Sequence, residues 1–158
     1  MAKRVVVTGM GVISPIGNDV PTFWNNLVNG VCGIDYIQEF PTENLPVRIA
    51  GKVKDFHPEN YGMDKGFSRK QDLFTQYGVA AAYEAMNQAG LIAEGEGQNI
   101  DPFRLGVYVG SGIGGFEIQY RETAKMIEDP SGQWISPLFI PTMISNIAAG
   151  HIAIKNHA

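Results

Sequence analysis

Two short apolar runs, each followed directly by glycines, constrain the fold of this chain most strongly. Residues 3–8 lead into Gly9, and residues 105–109 lead into the segment GSGIGG at 110–115. A short apolar run bounded by glycine is typical of a strand that is buried on both faces of a sheet. The sequence therefore predicts two core strands, each of which leaves the sheet through a tight glycine turn.

Helical periodicity predicts most of the remaining secondary structure. Helices are expected at about 20–29, 70–89, 118–128 and 141–156, and one short strand at 47–53 within an otherwise irregular segment. Asn18 or Asp19 can cap the first helix, and Gly90 stops the second, whose small residues favour close approach of another backbone. Alternating strands and helices indicate the α/β class. Two core strands are few for a parallel sheet, so we expect a single incomplete domain over residues 1–158.

Composition restricts the partners and the compartment. The 158 residues carry a net charge of −4, which gives no overall electrostatic support for binding nucleic acid. No run of about 18 apolar residues is present, so no membrane span is predicted. The N-terminus lacks the long apolar region of a signal peptide, and a single cysteine excludes an internal disulfide framework. We therefore expect a cytoplasmic protein with neither nucleic acid nor membrane as a partner.

The opening glycines do not match a nucleotide-binding motif. The dinucleotide fingerprint needs a third glycine where this chain has Ser14, followed by Pro15. The short-chain dehydrogenase version fails at Ile13, and no Gly-Lys-Ser or Gly-Lys-Thr of a phosphate loop occurs. A nucleotide-dependent reductase is therefore disfavoured, no cofactor is predicted, and the segment is interpreted as a structural turn.

The nucleophile and metal-ligand candidates stand alone in the sequence. Cys32, in GVCGI, has no His or Asn nearby, so burial as a small apolar side chain is expected. His57, His151 and His157 lack metal-ligand spacing, and His151 is expected to be packed and hydrogen-bonded. The segment GSGIGG is either a tight turn or a backbone platform beside a ligand channel. No metal site is predicted, and the residues alone name no reaction.

A small basic patch leads into the long helix. It consists of Lys65, Arg69 and Lys70, and Asp64 and Asp72 partly offset its charge. Two interpretations stay open: the solvated start of a helix, and a surface that docks an acidic partner.

Five stretches together resemble one family of condensing enzymes. In chain order they are VVVTGMGVISPIGN, GVCGI, RKQDLFTQYGVAAAYEAM, GVYVGSGIGG and ISPLFIPTMISNIAAGHIAI. They resemble the N-terminal part of the β-ketoacyl-acyl-carrier-protein synthases, most like the type II members, and they cover the whole chain in order. The resemblance implies an α/β, thiolase-like fold of which this chain is an incomplete N-terminal half.

The resemblance also implies a reaction and its partners. Such enzymes transfer an acyl group from acyl carrier protein to a cysteine, decarboxylate a malonyl thioester and join the two, which elongates a fatty acid. The implied partners are acyl carrier protein, the acyl and malonyl thioesters, and a second copy in a homodimer. The family's catalytic Cys, His and Lys match positions beyond residue 158, so no catalytic residue is assigned and this chain alone is expected to be inactive. Cys32, His151 and His157 match none of them.

Four residues carry an implied role. Ile113 matches the residue that lines the acyl pocket, and Phe139 matches the aromatic that reaches the neighbouring subunit's pocket across the dimer. Plain core packing is the alternative for both. Arg69 and Lys70 match a basic pair that docks the acidic carrier protein, in agreement with the docking interpretation of the patch.

The chain departs from the family in one place that bears on docking. Related enzymes often carry a basic pair just before the ISP segment, where this chain has Gln133 and Trp134. Cys32 also replaces a serine common in the family.

A competing hypothesis of a different class is a non-catalytic binding or assembly module that pairs with a complementary chain.

Overall fold

A computed structural model of the chain describes residues 3–91 and 96–158. Within these residues the chain forms six α-helices, one antiparallel pair of strands and two 3-10 turns. In chain order these are α1 (Val20–Val28), β1 (Ile34–Tyr36), β2 (Ile49–Gly51), a 3-10 turn (Pro58–Tyr61), α2 (Lys65–Lys70), α3 (Leu73–Ala89), a 3-10 turn (Pro102–Arg104), α4 (Phe116–Glu128), α5 (Phe139–Met143) and α6 (Ile147–Lys155). Asp35 of β1 lies opposite Ala50 of β2.

Local capping signals set the ends of α1 and α3. Asp19 accepts a hydrogen bond from the Thr22 N–H at 2.7 Å and begins α1, as predicted. Gly90 adopts a φ of +64° and ends α3, also as predicted. Glycine is favoured there because a side chain is strained in this left-handed region.

The long helix predicted at 70–89 is confirmed as α3, which begins at Leu73, and the separate short helix α2 precedes it. α2 ends at Lys70, Gln71 is extended, and α3 begins after Asp72. The Gln76 side chain donates to the carbonyls of Ser68 at 3.0 Å and Gln71 at 2.9 Å. These bonds satisfy backbone acceptors that the break leaves free.

The helix predicted at 141–156 is divided into two. α5 already begins at Phe139, and extended backbone at Ile144 separates it from α6. Pro141 lies in the first turn of α5, where a missing N–H costs no intrahelical hydrogen bond.

The two predicted core strands are wrong. Residues 3–8 and 105–109 belong to no strand, and Val5 and Tyr108 are almost fully exposed. A strand needs the backbone of a second strand beside it, and neither segment pairs with one among the described residues. The strands form instead at β2, inside the predicted 47–53, and at β1, which no sequence signal indicated.

The N-terminal extended segment lies across α3. A Cβ atom at Gly9 would collide with the carbonyl oxygen of Ala85, and one at Gly11 with that of Ala81. Close packing of a second backbone on this helix is therefore confirmed, and it explains why glycine occupies both positions.

Polar side chains of α3 hold this segment in place. The Gln88 side chain accepts a hydrogen bond from the Met10 N–H at 2.6 Å. The Glu84 carboxylate accepts from the Val12 N–H at 2.9 Å and from the Val20 N–H at 2.7 Å. These side-chain acceptors of α3 satisfy a few of the backbone N–H groups that a partner strand would otherwise pair.

The opening glycine segment ends in the predicted structural turn. Ser14 and Gly17 exchange backbone hydrogen bonds of 2.9 and 3.2 Å. The Ser14 hydroxyl also donates to the Gly17 carbonyl, at 3.1 Å. The chain therefore reverses direction just before α1.

The buried apolar core is small and lies mainly where α3 meets α6. Met63, Val79, Ala80 and Ile152 form its centre. The accessible surface is 11340 Å², about 1.5 times the roughly 7,800 Å² expected for a folded monomer of 17.2 kDa. Much of the apolar surface therefore has no partner within this chain. In the described part of the chain, no helix has the length and apolar character needed to cross a membrane.

Candidate docking surface and acyl-pocket segments

The basic patch predicted from the sequence lies on α2. Asp64 caps this helix by accepting from the Phe67 N–H at 2.7 Å, and Arg69 and Lys70 form its last turn. Cations are favoured there because a helix C-terminus carries partial negative charge. Lys65, Arg69 and Lys70 are exposed. None of them forms an ion pair within residues 3–91 and 96–158.

A buried carboxylate joins this patch to α4. Asp72 is only 7% exposed, and one of its oxygens accepts from the Phe74 N–H at 3.3 Å. The other accepts from the Ile118 N–H at 3.0 Å. The N-cap residue of α4 is Gly115, which has no side chain to cap the helix. Asp72 therefore caps both α3 and α4. The sequence indicates Asp72 only as a charge that partly offsets the basic patch, and it does not predict this capping role.

The glycine pair at the end of GSGIGG packs against the end of α5. Gly114 has a φ of +84°, and a Cβ atom there would collide with the Met143 carbonyl oxygen. The Gly115 N–H donates to the same oxygen at 2.7 Å. The segment is therefore a close-packed turn, and it brings the loop of Ile113 beside the helix of Phe139.

The two predicted acyl-pocket residues lie on these neighbouring segments. The Ile113 side chain is 66% exposed, and Phe139 is half-buried. Neither belongs to the buried core of the described residues. Their roles at an acyl pocket and across a dimer remain predictions.

A second buried carboxylate supports the segment that leads into α5. Glu122 is 2% exposed, and it accepts from the Lys125 ammonium at 2.7 Å and from the Ser136 N–H at 2.8 Å. The hydrogen bond from Lys125 and that from Ser136 hold the pKa of Glu122 below its ordinary value. Sequence reasoning missed Glu122. The available signal was its position four residues after Ile118, on the buried face of α4.

The predicted burial of the candidate nucleophile and the predicted packing of the candidate histidine have different outcomes. The predicted burial of Cys32 is wrong, and its side chain is exposed. Cys32 lies just before β1, a three-residue strand that is itself exposed, so the described residues offer no core there to cover the thiol. His151 is packed, with its ring edge-on to Phe67 at a centroid distance of 5.0 Å, and burial lowers its pKa. Across residues 3–91 and 96–158, no three His, Cys, Asp or Glu side chains are grouped to hold a metal ion.

Comparison with known protein families tests the resemblance predicted from the sequence. Residues 2–158 match the family model described as "Beta-ketoacyl synthase, N-terminal domain". The chain therefore belongs to the β-ketoacyl synthase family, and the predicted resemblance is confirmed.

Curated relatives narrow the similarity within this family. The chain is 44% identical over 153 residues to 3-oxoacyl-acyl-carrier-protein synthase 2 of Staphylococcus aureus (strain COL). It is 44% identical over 152 residues to the protein of the same name from Vibrio cholerae serotype O1. Both matches cover 96% of this chain but 35% of the relative. The chain thus spans about a third of the length of these relatives.

Solved structures show the same fold. A ketosynthase complex with its type II polyketide acyl-carrier protein matches with a TM-score of 0.75 and 26% identity, over 99% of this chain and 41% of that one. The ishigamide ketosynthase/chain length factor matches with a TM-score of 0.74 and 26% identity, over 94% and 36%. The predicted thiolase-like α/β fold class is confirmed, although the described part is rich in helix and has only a small sheet.

Proposed function

We propose that the protein carrying this chain is a condensing acyltransferase of fatty-acid elongation. The observation that carries this proposal is the 44% identity, over 96% of the chain, to 3-oxoacyl-acyl-carrier-protein synthase 2. In the proposed reaction a cysteine thiolate takes the acyl group from its carrier-protein thioester. Malonyl-carrier protein then loses CO2, and the carbanion displaces the cysteine to give 3-oxoacyl-carrier protein.

Within this scheme the described residues bind and position, and they do not react. The relatives are about three times as long as the match, which leaves room for the nucleophile elsewhere. Cys32 is a poor candidate, since its exposed sulfur lies 3.7 Å from the Ile34 carbonyl oxygen and forms no hydrogen bond with a histidine among residues 3–91 and 96–158. We expect the 158-residue chain alone to show no condensation.

Arg69 and Lys70 are proposed to dock acyl carrier protein. Both are exposed, and neither is neutralised by an ion pair within the described residues. A free cationic surface on a chain of net charge −4 favours an acidic partner that approaches locally. The solved ketosynthase complex with an acyl-carrier protein supports this choice of partner by analogy.

Ile113 and Phe139 are proposed to lie at the acyl pocket, with Phe139 reaching the partner's pocket in a homodimer. The support is the 2.7 Å hydrogen bond from Gly115 to Met143, which holds their two segments together. The exposed apolar surface is an area that a second subunit of a homodimer, and the rest of a longer chain, would cover. We also propose a cytoplasmic location, where the carrier-protein thioesters would be available.

The experiment that tests the proposal is a mass measurement followed by an assay. The N-terminal tryptic peptide identifies the protein in its native host, and intact-mass spectrometry measures it. A mass about 2.5 to 3 times 17.2 kDa, as 35% coverage implies, should come with condensation of acyl- and malonyl-carrier protein. A protein of that mass that forms no 3-oxoacyl product would contradict the proposal.

The same measurement tests the non-catalytic alternative, which the large apolar surface also favours. A mass near 17.2 kDa together with a co-purifying chain would identify an assembly module. Docking of carrier protein would then be assayed on that complex.

A further inference from the structure

A cavity of about 240 Å³ lies between the end of α2, the start of α3 and the first half of α4. Two arginines line it from different helices: Arg69, from α2, and Arg121, from α4. They lie far apart in the sequence, and only the fold places them on one opening. The predicted basic patch did not include Arg121.

The charge of Arg121 is available to a partner. Its Nε approaches Glu122 at 3.4 Å, but Lys125 donates to the same carboxylate oxygen at 2.7 Å and balances that charge. No other hydrogen bond of Arg121 occurs among residues 3–91 and 96–158, so its terminal nitrogens are free there. The side chain is 55% exposed.

Two carboxylates line the same cavity, and they differ in effect. Asp72 is buried, and both of its oxygens accept backbone N–H groups. Glu117 is exposed and opposes an acidic ligand. The opening therefore presents Arg69 and Arg121, with Lys70 beside them, against one exposed carboxylate.

We propose that Arg121 is a second docking cation, which with Arg69 receives an acidic surface of the acyl carrier protein. This inference rests on the proposed function, because it takes its partner from there. Cations from two helices that line one cavity are held at a set separation, so they select an acidic surface by spacing as well as by charge. The occupant is the carrier protein rather than a small anion, since Lys65 and Lys70 continue the positive surface beyond the cavity.

The test measures binding of the host's purified acyl carrier protein to the full-length gene product, at low and at physiological ionic strength. The variants are Arg69→Glu, Arg121→Glu and Arg104→Glu. Arg104 is the matched control because it is exposed and ends the 3-10 turn Pro102–Arg104, away from the cavity lining. We expect Arg121→Glu to weaken binding roughly fivefold or more at low salt, and less at high salt, while Arg104→Glu stays near wild type.

Two further variants separate docking from structural damage around Glu122. Arg121→Lys keeps the charge and should bind within about twofold of wild type. A carrier protein with one surface glutamate changed to lysine should recover part of the affinity lost in Arg121→Glu, which a folding defect could not produce. Glu117→Gln should tighten binding, because it removes the opposing charge.

The outcomes distinguish the two levels of the proposal. If Arg69→Glu weakens binding but Arg121→Glu matches Arg104→Glu, the role of Arg121 is overturned and docking through α2 stands. If wild type does not bind, or Arg69→Glu also matches the control, the proposed carrier-protein surface fails together with this inference.

Discussion

At the scale of single residues, the segment GSGIGG contains glycines with opposite requirements. Gly114 has a left-handed φ and faces the Met143 carbonyl, whereas Gly112 has open space where a Cβ would lie. We expect Gly114→Ala to destabilise the full-length protein by about 1–3 kcal/mol, and Gly112→Ala to change it by less than about 0.5 kcal/mol. Urea unfolding of both variants measures the difference, and equal costs would contradict the close packing on α5.

Glu122 allows a second prediction at this scale. Its pKa is lowered in the folded protein, so its stabilising effect is present above the unfolded-state pKa and is lost as pH falls towards the folded-state value. We expect Glu122→Gln to cost about 1–3 kcal/mol at pH 7 and to flatten the acid limb of stability against pH. Unfolding measured between neutral and acidic pH checks this. Glu59→Gln is the control, since Glu59 is exposed, with 71% of its side chain accessible.

At the scale of elements, Asp72 ties three helices at one point. It follows α2, caps α3 and caps α4. We expect Asp72→Ala to cost about 2 kcal/mol, roughly one for each cap, and Asp72→Asn to cost about half, since an amide has one acceptor oxygen. Denaturant unfolding compares them with Asp101→Ala, which removes the cap of an exposed 3-10 turn alone. Equal losses for Ala at 72 and 101 would show that the α4 contact carries no energy.

Elements with local signals were predictable, and elements that depend on distant partners were not. Asp19 and Gly90 gave the helix ends because capping involves residues within one turn. The apolar runs at 3–8 and 105–109 predict strands, but strand pairing requires a neighbour that local sequence does not specify. The candidate site divides in the same way. The patch on α2 was visible from neighbouring residues, whereas Arg121 joins it only through packing of α4.

At the scale of the whole molecule, the balance of surface and core sets the last prediction. Many apolar side chains of a kind usually found in protein cores are exposed to solvent here. Val5, Phe103 and Tyr108 are each more than nine-tenths exposed. Burial of the four residues in the central cluster offsets only a small part of the conformational entropy that a chain of 158 residues loses on folding. We therefore expect the chain, expressed alone, to aggregate or to unfold without a cooperative transition, because exposed apolar surface and unpaired extended segments favour association.

Size-exclusion chromatography with light scattering, followed by calorimetry, measures this directly. The full-length gene product is the control, and it should elute as a discrete species and unfold cooperatively. A monomeric 158-residue chain with a sharp thermal transition would contradict the prediction. It would mean that α3 and α6 form a sufficient core, and the exposed apolar surface would then need a partner that binds an already folded chain.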